Sequence, residues 1–187
     1  MDVIETDLAG VLLIKPQVFG DSRGQLFESY HAARYADSGI TSTFVQDNTS
    51  RSQHDVLRGL HFQHPHGQAK LVQVLDGEIY DVAVDIRVGS PQFGHWLGAR
   101  MNSDEGCQLF IPEGFAHGFV VLSETALFSY KCSDFYYPEC EKSVLWNDPD
   151  IGIDWPVSGP ILSAKDARAS PLSSFEAKDL PEYAVGV

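Results

Sequence analysis

Cysteine is scarce in this chain, and its spacing excludes two common roles. The 187 residues contain three cysteines, Cys107, Cys132 and Cys140, with no CxxC pair among them. A disulfide framework needs paired cysteines, and a structural zinc site needs closely spaced ones. The sequence therefore predicts neither feature, and it favours the reducing cytoplasm as the compartment.

Long apolar runs and an excess of positive charge are also missing. The apolar run from Ala9 to Ile14 is too short to span a membrane, and the acidic Asp2 and Glu5 precede it where a signal peptide has basic residues. The formal net charge is -13, and such a field repels nucleic acids and anionic membrane surfaces. We expect neither as a partner, and any anionic ligand must be met by local cations.

Short runs of β-forming residues, separated by Gly and Pro, make up most of the chain. They predict the following strands: Val11–Ile14, Leu26–Tyr30, Thr43–Asn48, Leu71–Leu75, Ile79–Ile86, Phe93–Leu97, Gln108–Ile111, His117–Leu122 and Leu127–Lys131. Asp76-Gly77 lies between two of these runs and predicts a type I′ hairpin turn.

Other segments are irregular or helical in pattern. Phe19 to Gly24 reads as a turn-rich loop, and His31–Asp37 predicts one short surface helix. The chain becomes loop-like from Pro138, with room for one short helix after Ser170. We therefore expect a single all-β domain over residues 1–187, a sandwich or barrel with a few short peripheral helices.

The run from Val56 to Gln63 carries unusual polar residues. In a strand, His61 and Gln63 would share one face, and Arg58, Leu60 and Phe62 the other. The polar face either meets solvent or lines a barrel interior, and a strand histidine can equally be a surface or hydrogen-bonded core residue. Lys70 opens the next apolar run.

Two later predicted strands each carry a polar side chain on a mainly apolar face. His117 shares a face with Phe119 and Val121, and Tyr130 shares one with Phe128 and Cys132. Both can be core residues with satisfied polar atoms. Placed together with His61 and Lys70, they would suit proton abstraction next to a carbonyl, with a histidine as base, a lysine at the oxyanion and a tyrosine as proton donor. Asp166 would orient the base, or it is a solvated loop acid.

The pattern resembles the cupin jelly-roll barrel. A degenerate first cupin motif is similar to the set His61, Gln63, Lys70 and Gly77. The segment from Pro112 to His117 resembles the second cupin motif. Gln63 and Lys70 stand where metal-binding cupins have a histidine and a glutamate, so we expect no metal. His64 and His66 lie near by, but Pro65 makes them a loop.

An ordered set of motifs resembles the dTDP-4-dehydrorhamnose 3,5-epimerase family over nearly the whole chain. The set comprises FGDSRG from Phe19, QDN from Gln46, LRGLHFQ from Leu57, KLV from Lys70, IPEGFAHGF from Ile111, YK from Tyr130, WNDP from Trp146 and SAKD from Ser163.

The resemblance implies a cofactor-free epimerase acting on dTDP-4-dehydro-6-deoxy-D-glucose. It makes His61 the base, Asp166 its partner, Lys70 the enolate stabiliser and Tyr130 the opposite proton donor. It implies substrate binding by the following residues: Phe19, Arg23, Glu28, Gln46, Asn48, Arg58, His117 and Tyr136. It also implies a homodimer in which Arg23 and Glu28 reach across the interface. Phe135 departs from the usual Tyr-Tyr pair.

Three other interpretations stay open from sequence. One is an epimerase that acts on a single carbon of a related nucleotide sugar. Another is a metal-dependent cupin isomerase or oxygenase, which Gln63 and Lys70 disfavour. The last is a sugar-binding cupin module without catalysis.

Overall fold

The computed structural model describes residues 1–184 and is built mainly of strands. In chain order these are β1 (Asp2–Glu5), β2 (Leu12–Lys15), β3 (Val18–Asp21), β4 (Gly24–Phe27), β5 (Gln46–Gln53), β6 (Leu57–Gln63), β7 (Lys70–Asp76), β8 (Glu78–Asp85), β9 (Trp96–Asn102), β10 (Gln108–Ile111), β11 (Phe115–Val121), β12 (Thr125–Cys132) and β13 (Glu141–Ser143). One α-helix, α1 (Ala32–Asp37), and four short 3₁₀ helices complete the described chain. None of these helices has the length and apolar character needed to span a membrane.

Two antiparallel sheets face each other across an apolar core. Their strand orders are β1-β2-β10-β7-β12-β5 and β13-β6-β11-β8-β9. Because side chains alternate along a strand, each strand sends one set inward. Val72 and Val74 of β7, Phe119 of β11 and Phe128 of β12 are buried in this way. The predicted all-β jelly-roll architecture is thereby confirmed.

Different parts of the chain cover the outer faces of the two sheets. Tyr35 of α1 packs over Ile14 and Phe110 of the first sheet. Trp155 and Leu172, which follow β13, pack over the second. The segment that looked loop-like from Pro138 is thus held in place by buried apolar side chains, and the helix predicted after Ser170 is replaced by 3₁₀ helices.

Local sequence signals predicted some elements well and misplaced others. The strand predicted at Gln108–Ile111 is β10, and the predicted helix is α1, whose first turn donates the Arg34 N–H to His31 Nδ1. The strand predicted at Thr43–Asn48 instead runs as β5 through the polar residues up to Gln53. It does so because it pairs along its length with β12.

The hairpin predicted at Asp76-Gly77 is wrong. β7 and β8 belong to opposite sheets, and the chain crosses between the sheets at this turn. Gly77 does adopt the positive φ that the dipeptide signals, at 87°. A Cβ there would lie 2.2 Å from the Thr125 carbonyl oxygen, so glycine is required. The local signal specified the backbone angle, but the pairing partners come from distant strands.

The loop predicted from Phe19 to Gly24 is only a turn at Ser22 and Arg23, because the residues on either side form β3 and β4 of a separate two-stranded sheet. We call residues 18–27 the arm. Phe19 and Leu26 are cross-strand neighbours and are 59% and 73% exposed. The arm thus presents a small apolar surface to solvent in the single chain.

Candidate active site

A cavity of about 320 Å³ opens between the two sheets. It is lined by Gln46, Asn48, His61, Phe62, Gln63, Gln68, Lys70, Tyr130, Tyr136 and Glu141. A second pocket of about 220 Å³ shares three of these residues and adds Ser50, Arg58, His117, Phe119 and Phe128. The structure therefore brings His61, Lys70, His117 and Tyr130, predicted from distant parts of the sequence, to one place.

His61 is paired with Asp166. Its Nε2 lies 2.6 Å from Asp166 Oδ1, and the carboxylate is almost fully buried at the start of the 3₁₀ helix Asp166–Arg168. Burial alone would raise the pKa of Asp166, but the hydrogen bond from His61 and the nearby positive charge hold it below the usual value. With Nε2–H donated to the carboxylate, Nδ1 of His61 carries the free lone pair.

Lys70 is a buried cation at the first position of β7. Burial lowers the pKa of its ammonium, and the nearby Cys132, Asp81 and Glu141 act in the opposite direction. Desolvation strengthens the interaction of this group with any negative charge that develops in the cavity.

His117 makes a second histidine–aspartate pair with Asp81. Its Nε2 lies 3.0 and 2.9 Å from the two Asp81 carboxylate oxygens. Burial lowers the pKa of His117 despite the opposing effect of Asp81. The sequence interpretation missed Asp81. The available signal was a carboxylate between Ile79 and Ala83, two apolar residues on the inward face of β8.

Tyr130 approaches the cavity from the sheet opposite His61. His61 lies on β6 of one sheet, and Tyr130 lies on β12 of the other. The Phe128 ring packs 5.6 Å from the Tyr130 ring, and burial raises the pKa of the phenol. The cavity thus has a histidine on one wall and a protonated phenol on the facing wall.

Arg58 lines the second pocket together with His61, so its predicted placement on the opposite face is wrong. The register between β6 and β11 shifts, because His61 pairs with His117 while Arg58 pairs with Phe119. One more residue on β6 than on β11 lies between these pairs, which reverses the alternation. A Cβ on Gly59 would lie 2.5 Å from the Gly118 Cα, so two facing glycines permit this approach.

A chain of polar contacts runs along the cavity mouth. The Tyr136 N–H donates to Gln46 Oε1 at 2.9 Å, and its hydroxyl donates to Glu141 Oε2 at 2.8 Å. Lys165 Nζ lies 2.7 Å from the same Glu141 oxygen. Burial alone would raise the pKa of Glu141, but the bonds from Lys165 and Tyr136 keep it lowered. Glu141 was missed because loop-like sequence gave no sign of the short strand β13, and Lys165 was missed because it lies in a turn.

Three predicted substrate-binding residues lie elsewhere in the single chain. Within residues 1–184, Phe19, Arg23 and Glu28 lie outside both pockets. Arg23 bonds to Asp21 on the arm, and Glu28 bonds to Arg34. The protein chain alone therefore does not assemble every residue of the predicted site.

The donor set of the cavity is poor in metal ligands. Among residues 1–184, no group of three or more His, Cys, Asp or Glu side chains could hold a metal ion. The loop histidine His66 instead stacks on Tyr137 at 4.3 Å and bonds to Asp134.

Comparison with known proteins gives a consistent result. Residues 5–174 match the family model described as dTDP-4-dehydrorhamnose 3,5-epimerase. The chain is 55% identical over 172 residues to such an enzyme from Salmonella typhimurium, covering 90% of this chain and 94% of that protein. A relative from Neisseria gonorrhoeae is 52% identical over 167 residues, covering 89% of this chain and 51% of that protein, so the chain spans about half its length.

A solved structure is similar over the whole fold. It is a dTDP-6-deoxy-D-glucose-3,5-epimerase from Legionella pneumophila Philadelphia 1 in complex with dTDP-4-keto-L-rhamnose. It is 50% identical to this chain, with a TM-score of 0.96 and coverage of 98% of this chain and 99% of that one.

Proposed function

This chain belongs to the dTDP-4-dehydrorhamnose 3,5-epimerase family, and from that premise we propose the reaction that it catalyses. It epimerises C3 and C5 of dTDP-4-dehydro-6-deoxy-D-glucose to give dTDP-4-dehydro-L-rhamnose. The observation that carries the proposal is the placement of His61 and Tyr130 on facing sheets of one cavity. A proton can then leave one face of a sugar ring and return to the other.

His61 is the proposed base. Its Nδ1 is free to accept the proton beside the C4 ketone, because Nε2 is engaged by Asp166. The carboxylate keeps the required tautomer and stabilises the imidazolium that forms. Each step removes one proton and returns one, so the sugar is neither oxidised nor reduced and needs no redox cofactor.

Lys70 and His117 are proposed to act at the ketone oxygen. Removal of the α proton leaves negative charge on that oxygen, and the buried Lys70 ammonium supplies a countercharge beside it. His117 lines the same pocket and is fixed in orientation by Asp81.

Tyr130 is proposed to return the proton on the other face. Its raised pKa keeps the phenol protonated and able to donate. A base on one face alone would restore the original configuration. The two facing groups together account for inversion.

Nucleotide binding is proposed at the cavity mouth. Gln46, Asn48 and Tyr136 line it, with a ring for base stacking and amides for hydrogen bonds. Arg58 and Lys70 supply local positive charge for a diphosphate within a chain of net charge -13.

The remaining binding residues lead us to propose a homodimer. Phe19, Arg23 and Glu28 would reach the cavity of a second protomer, and the arm that carries two of them is a two-stranded sheet with exposed apolar residues. Such a sheet is marginally stable alone and gains from a covering surface. Gln108 Nε2 fixes the root of the arm by donating to the Ser29 carbonyl oxygen at 2.7 Å.

The cytoplasm is the proposed location, because all three cysteines are free and buried. The single domain over residues 1–187 stays a prediction.

Proton NMR in deuterated water tests the reaction. The protein is incubated with dTDP-4-dehydro-6-deoxy-D-glucose, with and without chelator, and exchange is followed at C3 and C5. We expect deuterium at both carbons in either condition, and a reductase that forms the L-rhamnose nucleotide to consume the product. Exchange at one carbon would indicate a monoepimerase, loss of exchange with chelator a metal enzyme, and binding without exchange a non-catalytic module.

A further inference from the structure

Gln63 occupies a conspicuous position that the proposed chemistry does not use. It lies two residues after His61 on β6, on the inward face, and is 6% exposed. Its amide is fully engaged by the protein. Nε2 donates to the carbonyl oxygens of His66 and Phe135 at 2.8 and 3.1 Å, and Oε1 accepts the Tyr137 N–H at 2.8 Å.

Two of those three bonds hold the residues on either side of Tyr136. The backbone of Tyr136 itself bonds to Gln46, and its hydroxyl bonds to Glu141, which is the cross-strand partner of Gln63. Tyr136 itself is about half exposed, and it lines the cavity. Hydrogen bonds to Gln63 and Gln46 thus hold the backbone on both sides of an exposed ring.

We propose that Gln63 is a positioning residue that sets nucleotide affinity by holding Tyr136 at the cavity mouth. This inference rests on the proposed function, because it takes Tyr136 to be a wall of the nucleotide site. Gln63 tethers the segments on both sides of the mouth, through His66 on one and Phe135 and Tyr137 on the other. Loss of the amide frees the Tyr136 segment, which must then be ordered again each time a nucleotide binds.

The chain offers a matched control in Gln92. Its amide also bridges two backbone groups, donating to the Asp7 carbonyl oxygen and accepting the Ala9 N–H, both at 2.8 Å. It lies outside both pockets of the site as described for residues 1–184. Gln92→Ala therefore removes an amide that bridges two backbone groups, at a more exposed position and without touching Tyr136.

The first measurement is dTDP binding by calorimetry, together with steady-state kinetics. In Gln63→Ala, we expect the Kd for dTDP and the KM for the sugar nucleotide to rise about tenfold. We expect kcat to stay within about threefold, because the reacting groups are unchanged. Gln63→Glu keeps the acceptor but loses both donated bonds, and should weaken binding as well. Gln92→Ala should bind like the wild type.

A double-mutant cycle with Tyr136→Ala tests the route of the effect. If Gln63 acts through Tyr136, the double variant should bind dTDP no more weakly than Tyr136→Ala. The proposal would be overturned if the losses of dTDP affinity in the two single variants multiplied in the double variant. It would also be overturned if Gln63→Ala left the affinity unchanged, or if it lowered kcat with KM unchanged.

Hydrogen exchange separates this inference from the proposed reaction. Gln63→Ala should increase deuterium uptake in residues 133–138, whereas Gln92→Ala should not. Wild-type uptake in Gln63→Ala would overturn the inference even in an active epimerase. If the wild-type protein has no epimerase activity but Gln63→Ala still increases deuterium uptake, the proposed reaction is overturned and not the tethering by Gln63.

Discussion

The interior of the barrel and the arm differ in how their polar groups are satisfied. In the interior, His61 and His117 each meet a buried carboxylate of the same chain, so the orientation of each ring is set before any ligand arrives. On the arm, Arg23 is bonded to Asp21 only two residues away, and Phe19 faces solvent. The comparison separates the proposed reaction centre, which one chain holds in place, from the proposed binding residues of the arm, which we propose a second protomer to complete.

Removal of the base should have the largest effect on the interior. His61→Ala should abolish exchange at both carbons, a loss of about 100-fold to 10,000-fold in rate. NMR in deuterated water measures it, and a melting curve like that of the wild type shows that the barrel is intact. Full epimerase activity in this variant would contradict the assignment of the base.

Removal of the facing hydroxyl should separate exchange from inversion. Tyr130→Phe keeps the ring but loses the donor, so inversion at C5 should fall by about 100-fold while some exchange continues. The readout is deuterium incorporation compared with product formed. Equal loss of both signals, including at C3, would mean that Tyr130 is needed for proton removal as well.

Disruption of the arm should affect binding more than chemistry. Arg23→Ala should raise KM by about tenfold with little change in kcat, because a charge-assisted bond to phosphate is lost. Mixing His61→Ala chains with Arg23→Ala chains then tests where the arm acts. In a mixed dimer, an intact arm meets an intact cavity, so at low substrate the mixture should exceed the average of the two variants. Activity equal to that average would contradict exchange of the arm.

The smallest expected effect is an acid dependence of stability in the interior. Asp166 has a lowered pKa in the folded chain, so its stabilising contribution is complete above the unfolded value of 3.8 and is lost as the pH falls through the lower folded value. The melting temperature of wild type minus that of Asp166→Asn should be constant near neutral pH and shrink below about pH 4. Asp21 belongs to an exposed ion pair with Arg23 on the arm, so the melting temperature of Asp21→Asn should differ little from that of the wild type at any pH. A gap that persists unchanged to low pH would contradict the pairing with His61.

Sequence alone predicted what depends on local alternation and failed where a distant strand decides. The inward faces of β11 and β12 followed from alternation, and so the placement of His117 and Tyr130 in one interior was foreseeable. The face of Arg58 was not, because the extra residue on β6 needs Gly118, which lies far along the chain, to accommodate it.

The turn at Gly77 shows the same limit. Its positive φ was readable, but whether the next strand pairs with β7 or crosses to the other sheet depends on β10, β11 and β12. Asp81 and Glu141 were missed for a related reason. The position of Asp81 between apolar residues was a signal in the sequence, but its partner His117, like the partner Tyr136 of Glu141, is set by the fold.

The crossing at Gly77 also governs the order in which this protein can fold. β6, β7 and β8 follow one another in the chain, yet none of them pairs with its neighbour, and their partners lie in β9 to β13. Such non-local pairing makes folding slow, because long loops must close before any pairing is gained. During synthesis, His61 and Lys70 therefore leave the ribosome well before the strands that pair with β6 and β7. The apolar segments around them stay unpaired until β10 to β12 have been synthesised.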